Sequence, residues 1–163
     1  MIHGDRYNGL TITIGCPGAG KSTWADANLA ASTLRLERDR FRECLFGSRK
    51  AYHASEFDRA ECSAVVTQAM LNALFYWPEP SWAVTDTGID QPAVAPFISY
   101  AERLNLPVRL VVFDRPLPLL AERNRTRPED HRIPEDILFE RYNAFKSPLA
   151  WWRSSEYATE YAA

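Results

Sequence analysis

Cysteine is scarce in this chain: Cys16, Cys44 and Cys62 are the only three among 163 residues, odd in number and widely spaced. That excludes a disulfide framework and a paired-thiolate zinc site, and leaves reduced structural thiols. Histidine is equally sparse. His3, His53 and His131 share no metal-ligand spacing and read as surface or loop residues. No apolar run approaches the roughly 18 residues that span a bilayer, and Met1 to Asp5 has no cationic segment followed by an apolar stretch. A soluble, cytoplasmic protein with no membrane partner is expected. An excess of one charge sign is missing too: 19 Lys+Arg stand against 21 Asp+Glu, a net charge of −2. The balance argues against a surface that coats nucleic acid broadly, so any polyanion must be gripped locally. Repeats, low-complexity tracts and linkers are absent. With 46% hydrophobic residues, residues 1–163 fit a single domain whose core needs neither disulfide nor metal.

The order of elements reads as alternating strands and helices. Leu10 to Ile14 alternates apolar and β-branched residues and is closed by Gly15; a Gly-rich turn and a helix through Trp24 to Ala31 follow. A second strand is read at Thr33–Leu36, and Phe41 and Leu45 take helical spacing until Gly47. Ser55 and Asp58 form a capping pattern ahead of a long helix carrying Phe57, Ala60, Ala64, Leu71, Leu74 and Phe75, which Trp77-Pro78-Glu79-Pro80 ends. Trp82–Thr85 is a third strand running into Asp86, and Asp90 with Pro92 starts a helix to about Leu104. Pro107 to Phe113 is a fourth, nearly all-apolar strand; helices follow after Pro116, through Arg125, and again from Pro134. Strands of this kind, alternating with helices, imply an α/β fold with about four to five parallel strands and helices on both faces. The stretch from about 148 to 163 reads as a peripheral tail.

Gly15-Cys16-Pro17-Gly18-Ala19-Gly20-Lys21-Ser22 matches G-x-x-x-x-G-K-[ST] in full, between a strand and a helix. Its glycines allow successive N–H groups to point inward, and the helix N-terminus adds partial positive charge, which makes a cradle for polyphosphate. Lys21 is placed to reach the outer phosphates, Ser22 to ligate a Mg²⁺ bridging them, and Thr23 continues the cradle. ATP or another NTP with Mg²⁺ is therefore the expected cofactor set.

A phosphate loop alone does not separate kinase, ATPase, GTPase and switch. The N-K-x-D that would read a guanine is absent, and Thr87 rather than an acidic residue follows Asp86. Glu37-Arg38-Asp39-Arg40-Phe41-Arg42 places an acid just beyond the second strand, on the same crevice as the loop in a parallel sheet. Asp39 there accepts a hydroxyl proton and Arg42, three residues on, holds an anion on the acceptor; the alternative is an exposed ion pair on a helix face. Arg123, Arg125, Arg127 and Arg132 crowd a polar loop and read either as a lid of about residues 123–133 over the transferring phosphate or as a solvated helix end. Trp24, Phe57, Tyr76 and Trp82 read as packing residues, and Trp151-Trp152 as cover for an apolar patch or a stacking surface.

These motifs together resemble the kinase domain of phage polynucleotide 5′-hydroxyl kinases: Gly15 to Ala25, Arg38-Asp39-x-Phe41-Arg42, Asp86-Thr87, and Arg123-Asn124 with Arg127. The resemblance spans about residues 9 to 145. It implies the P-loop kinase fold with an Arg-bearing lid, Asp39 as general base, and Arg42 on the acceptor phosphate, with Arg38, Asp86 and Thr87 also on the acceptor side. Arg123 and Arg127 become the lid arginines. The implied partner is a 5′-hydroxyl DNA or RNA end in nucleic-acid repair, inside a host cell if the chain is phage-encoded. Two positions depart from the pattern: Gly88 stands where the family commonly has Asn, and Arg40 where an acidic residue is frequent. The phosphatase domain often fused to such kinases does not follow residue 163, so the kinase half alone is expected. A small-molecule kinase acting on a nucleoside, sugar or antibiotic, and a nucleotide-binding switch, are the competing readings.

Overall fold

The structure, a computed structural model, describes residues 7–48, 59–77, 81–86 and 88–161. The expected capping pattern at Ser55 and Asp58, Phe57 and Thr87 lie outside them. The elements run β1 (Gly9–Gly15), α1 (Lys21–Asn28), β2 (Leu34–Leu36), α2 (Arg38–Phe46), α3 (Arg59–Tyr76), β3 (Ser81–Val84), α4 (Gln91–Arg103), β4 (Val108–Phe113), α5 (Leu117–Arg125), α6 (Glu135–Lys146), α7 (Leu149–Ser154) and β5 (Ala158–Tyr161), with a 3₁₀ turn at Glu129–His131. Boundaries follow local chemistry. Gly47 ends α2 in the left-handed conformation, Asp90 occupies the N-cap of α4 with a proline in its first turn, and Pro116 and Pro134 precede α5 and α6.

All strand pairs are parallel, in the order β2-β3-β1-β4-β5. From β1 the chain moves through α1 towards β2, whereas from β3 it moves through α4 to the opposite side of β1. Right-handed crossovers therefore put α1 and α4 on opposite faces, and a crevice opens where the paths diverge, beyond the carboxyl ends of β1 and β3. Strand alternation supports this placement. Leu10, Ile12, Ile14, Trp82 and Val84 join a large core with Met70, Leu74, Val94 and Phe97. Ala83, between Trp82 and Val84, instead packs with Ala25 and Leu29 of α1 on the other side.

Two expectations from the sequence are corrected. The segment after Pro148 is not peripheral: Trp152 has no exposed surface, Leu149 is buried with it, and β5 extends the sheet through Leu110↔Thr159 and Val111↔Glu160. Asp114, just beyond β4, ties this segment down by accepting from Arg153, and accepts from Lys146 of α6 as well. The tail's polar letters hide its place because β5 is an edge strand, which need not be apolar on both faces. Tyr76 is not a packing residue either. It is 71% exposed, as Phe75 and Trp77 are in large part, because the buried stripe of α3 runs through Val66, Met70 and Leu74. Among the described residues no helix is long and apolar enough to cross a membrane.

Candidate active site

The phosphate-binding loop sits on that crevice. Gly18 and Gly20 have φ of 84° and 98°, a left-handed geometry that side-chain-bearing residues rarely adopt, and Gly20 is the N-cap of α1. The turn is closed by the Ala19 N–H donating to the Cys16 carbonyl at 3.1 Å. The Lys21 ammonium folds back to donate to the carbonyls of Gly15 and Cys16, at 2.8 and 2.9 Å. Burial lowers the pKa of Lys21 to about 8, and the charge of Arg127 pushes the same way while Asp86 and Asp39 oppose it. Pro17, Gly18, Ala19, Gly20, Lys21, Ser22 and Thr23 line an open cleft of about 1950 Å³. Cys16 serves it through its backbone alone: its buried thiol points at the Arg141 carbonyl, 3.7 Å away, and burial pushes its pKa up to about 11. It is not a reactive thiolate.

Asp86 lies on the cleft beyond β3. One carboxylate oxygen, Oδ1, accepts the Arg38 backbone N–H at 2.7 Å. The other, Oδ2, has Arg38 Nη1 at 3.1 Å but off the line of a hydrogen bond, and so makes none. Burial raises the Asp86 pKa to about 6, against the pull of Arg38. Arg38 itself is committed inside the protein: beyond Asp86 it donates to Thr67 Oγ1 at 3.2 Å and stacks over Phe97 at 5.8 Å. Arg38 lines the cleft as expected, and these contacts also make it a brace between Asp86 and the wall formed by Thr67 and Phe97.

Asp39 lies in the first turn of α2 and Arg42 just after it, both lining the same cleft as the loop. Arg42 Nη1 is 3.1 Å from Asp39 Oδ1 and Nη2 donates to Ser63 of α3 at 2.8 Å. Arg42 is mostly covered while Asp39 is half exposed to the cleft. The neighbouring Glu37 accepts from Thr85 at 2.8 Å and pairs with Arg40 at 2.8 Å. The fold supplies a reason for glycine at position 88, where the resemblance leads one to expect asparagine. Its φ is +52°, and a Cβ built there would fall 2.7 Å from the Thr13 carbonyl oxygen, so this backbone has no room for an asparagine.

The lid expectation separates its arginines. Arg123 lies on the loop, donating from Nη1 to the Gly18 carbonyl at 3.1 Å, and Arg127 and Arg132 line the same cleft. Arg125 instead turns towards Glu135, 3.9 Å away. Sequence reasoning missed Arg115, whose Nε donates to the Ala19 carbonyl at 3.4 Å. It also missed Ser63, Thr67 and Thr85 as supports. Arg115 was legible only as the residue one step past a strand in an α/β sheet; the others carry no local signal.

A Mg²⁺ ion fits the donor set. Ser22 lines the cleft, and the buried Asp86 Oδ2 is a carboxylate oxygen without a hydrogen bond. Among the described residues no cluster of three His, Cys, Asp or Glu side chains forms a metal site by itself. Phosphate oxygens and water would have to complete the shell.

Residues 10–150 match a family model described as AAA domain. The chain superposes on a protein of the Pnkp1/Rnl/Hen1 RNA repair complex with a TM-score of 0.72 at 19% identity, over 90% of this chain and 47% of that one. It thus spans about half the length of that protein. Shikimate kinase from Acinetobacter baumannii, in complex with shikimate, gives a TM-score of 0.63 at 16% identity, over 97% of this chain and 86% of the other. Chaetomium thermophilum Kti12, in complex with ADP-AlF3, gives 0.64 at 11% identity, over 94% and 88%. At these identities the likeness is one of fold, and the fold is that of the P-loop kinases, as the sequence leads one to expect.

Proposed function

Starting from a chain that belongs to the AAA domain family and folds as a P-loop kinase, we propose that it transfers the γ-phosphate of ATP to the 5′-hydroxyl end of DNA or RNA. The observation that carries this reading is the Asp39–Arg42 pair, 3.1 Å apart, lining the same cleft as the phosphate loop. A carboxylate beside a cation suits an acceptor that brings a hydroxyl and a phosphate together. The matched fold in an RNA repair complex supports the same choice, and end repair in the cytoplasm is the setting it suggests.

In the reaction the loop N–H groups and Lys21 hold the donor phosphates. Lys21 leaves the Gly15 and Cys16 carbonyls to do so. Asp39 takes the proton of the 5′-hydroxyl as its oxygen bonds to the γ-phosphorus and the bond to the β-γ bridging oxygen breaks, releasing ADP. Arg123 and Arg127 face the charge that gathers on the transferring group, and Arg42 holds the phosphate next to the terminal nucleoside. Ser22 and Asp86 would hold Mg²⁺, which when bound neutralises charge on the β- and γ-oxygens.

Shikimate kinase matches over most of both chains, which favours a small-molecule acceptor as the rival. Transfer of labelled γ-phosphate to 5′-hydroxyl oligonucleotides, 3′-mononucleotides, plain nucleosides and shikimate tests both. Oligonucleotides and 3′-mononucleotides are expected to accept phosphate and nucleosides to accept little. Equal use of plain nucleosides, or transfer to shikimate alone, overturns the proposal. ATP binding without transfer to any acceptor would identify a switch.

A further inference from the structure

Asn124 is buried although polar, and it lies between the two lid arginines, one residue after Arg123 and three before Arg127. Its side chain makes a two-point amide-to-peptide pair across nine residues: Nδ2 donates to the Ile133 carbonyl at 2.7 Å, and Oδ1 accepts from the Ile133 N–H at 3.0 Å. The segment between, residues 125–132, is thereby closed at its base, with Arg127 inside it.

Further ties stiffen the same segment. Arg132 Nε donates to the Arg127 carbonyl at 2.8 Å, the Arg127 N–H donates to the Asn124 carbonyl at 3.3 Å, and Thr126 Oγ1 donates to the Arg123 carbonyl at 2.9 Å. Opening the Asn124 pair would strand two half-buried backbone groups of Ile133, so the closed base is favoured over an open one. A loop closed in this way has less freedom to lose when an arginine within it must meet phosphate.

We infer that Asn124 is a positioning residue for the lid: its pair with Ile133 sets the loop so that Arg127 engages the outer phosphates of the donor. The inference rests on the donor half of the proposed function and not on the identity of the acceptor. Asn124 touches no phosphate; it acts through Arg127.

The test is a double-mutant cycle on the full chain, read by calorimetric affinity for a non-hydrolysable ATP analogue with Mg²⁺, alongside thermal melting. Arg127→Ala is expected to weaken the analogue, and Asn124→Ala to weaken it comparably, by up to about 10²-fold, the scale that misplacement of a binding group produces. In the Arg127→Ala background the further effect of Asn124→Ala should shrink to about 2-fold or less, because the residue through which it acts is gone. AMP, which lacks the outer phosphates, should bind all four proteins alike. Full additivity of the two changes overturns the inference, as does Asn124→Ala binding the analogue like wild type. If Asn124→Ala melts below the assay temperature, Asn124→Asp keeps the acceptor from the Ile133 N–H and enters the same cycle with the same outcomes. Failure of the wild type to phosphorylate nucleic acid would sink the acceptor assignment and leave this cycle readable.

Discussion

The backbone N–H of Arg38 donates to Asp86 Oδ1 at 2.7 Å, so the carboxylate that ends β3 anchors the first turn of α2, the turn that carries Asp39. The Arg38 guanidinium returns to the other oxygen of the same carboxylate at 3.1 Å. The carboxylate beyond β3 and the turn that carries the candidate general base are in this way fixed to each other, Arg38 and Asp86 lying 48 positions apart in sequence.

Asp39→Asn keeps the size of the side chain and removes its basicity. Transfer to a 5′-hydroxyl should drop by about 10² to 10⁴ while ATP still binds. Single-turnover transfer and nucleotide affinity measured on one preparation check this. A merely exposed ion pair contributes roughly 0 to 1 kcal/mol and would leave transfer intact.

Arg42→Ala should weaken the acceptor and spare ATP. A lost charge-assisted hydrogen bond costs about 1.5 to 3 kcal/mol, which appears as a raised KM for the oligonucleotide. The reading fails if the KM for ATP rises instead, or if neither changes. Ser63→Ala, which removes only the brace from α3, should give a weaker effect of the same kind.

The pH dependence follows from two buried charges. Asp86, raised to about 6, becomes neutral as pH falls through that value, and Lys21, lowered to about 8, loses its charge as pH rises through its own. The profile of kcat/KM for ATP should therefore be bell-shaped, with limbs near pH 6 and pH 8 that belong to the coupled free protein. Stability changes in the opposite sense. Between its usual value near 4 and about 6 the folded Asp86 holds more proton than the unfolded chain, so its contribution falls as pH rises. Between about 8 and its usual value near 10.5 the unfolded Lys21 holds more, so its contribution grows as pH rises. Melting across pH 4 to 10 measures both slopes.

Trp152→Ala should cost about 3 to 5 kcal/mol of stability, the range for emptying a large buried aromatic site. Trp151→Ala, at a 45% exposed position, should cost much less. Denaturant unfolding of the two variants distinguishes a structural tail from a peripheral one, since a peripheral tail would make them equal.

By itself the sequence determined whatever is local. The phosphate loop is eight consecutive residues whose glycines, lysine and serine act within one turn of backbone, and the strands and helices beside it announce themselves through period and punctuation. That Arg123 and Arg127 reach the cleft, and that Asp39 pairs with Arg42, were legible for the same reason. Tertiary structure alone decided the rest. That Arg38 also braces Asp86, Thr67 and Phe97 while lining the cleft is a matter of the fold, since those partners lie far away in sequence. Gly88 departs from the expected asparagine, and only the fold shows why: the Thr13 carbonyl lies 2.7 Å from where its Cβ would be. Trp151-Trp152 hinted at an apolar patch, but full burial of Trp152 and the addition of β5 to the sheet were not legible, because they depend on which strand the chain returns to pair with, and that choice is made by β4 and Asp114, dozens of residues earlier.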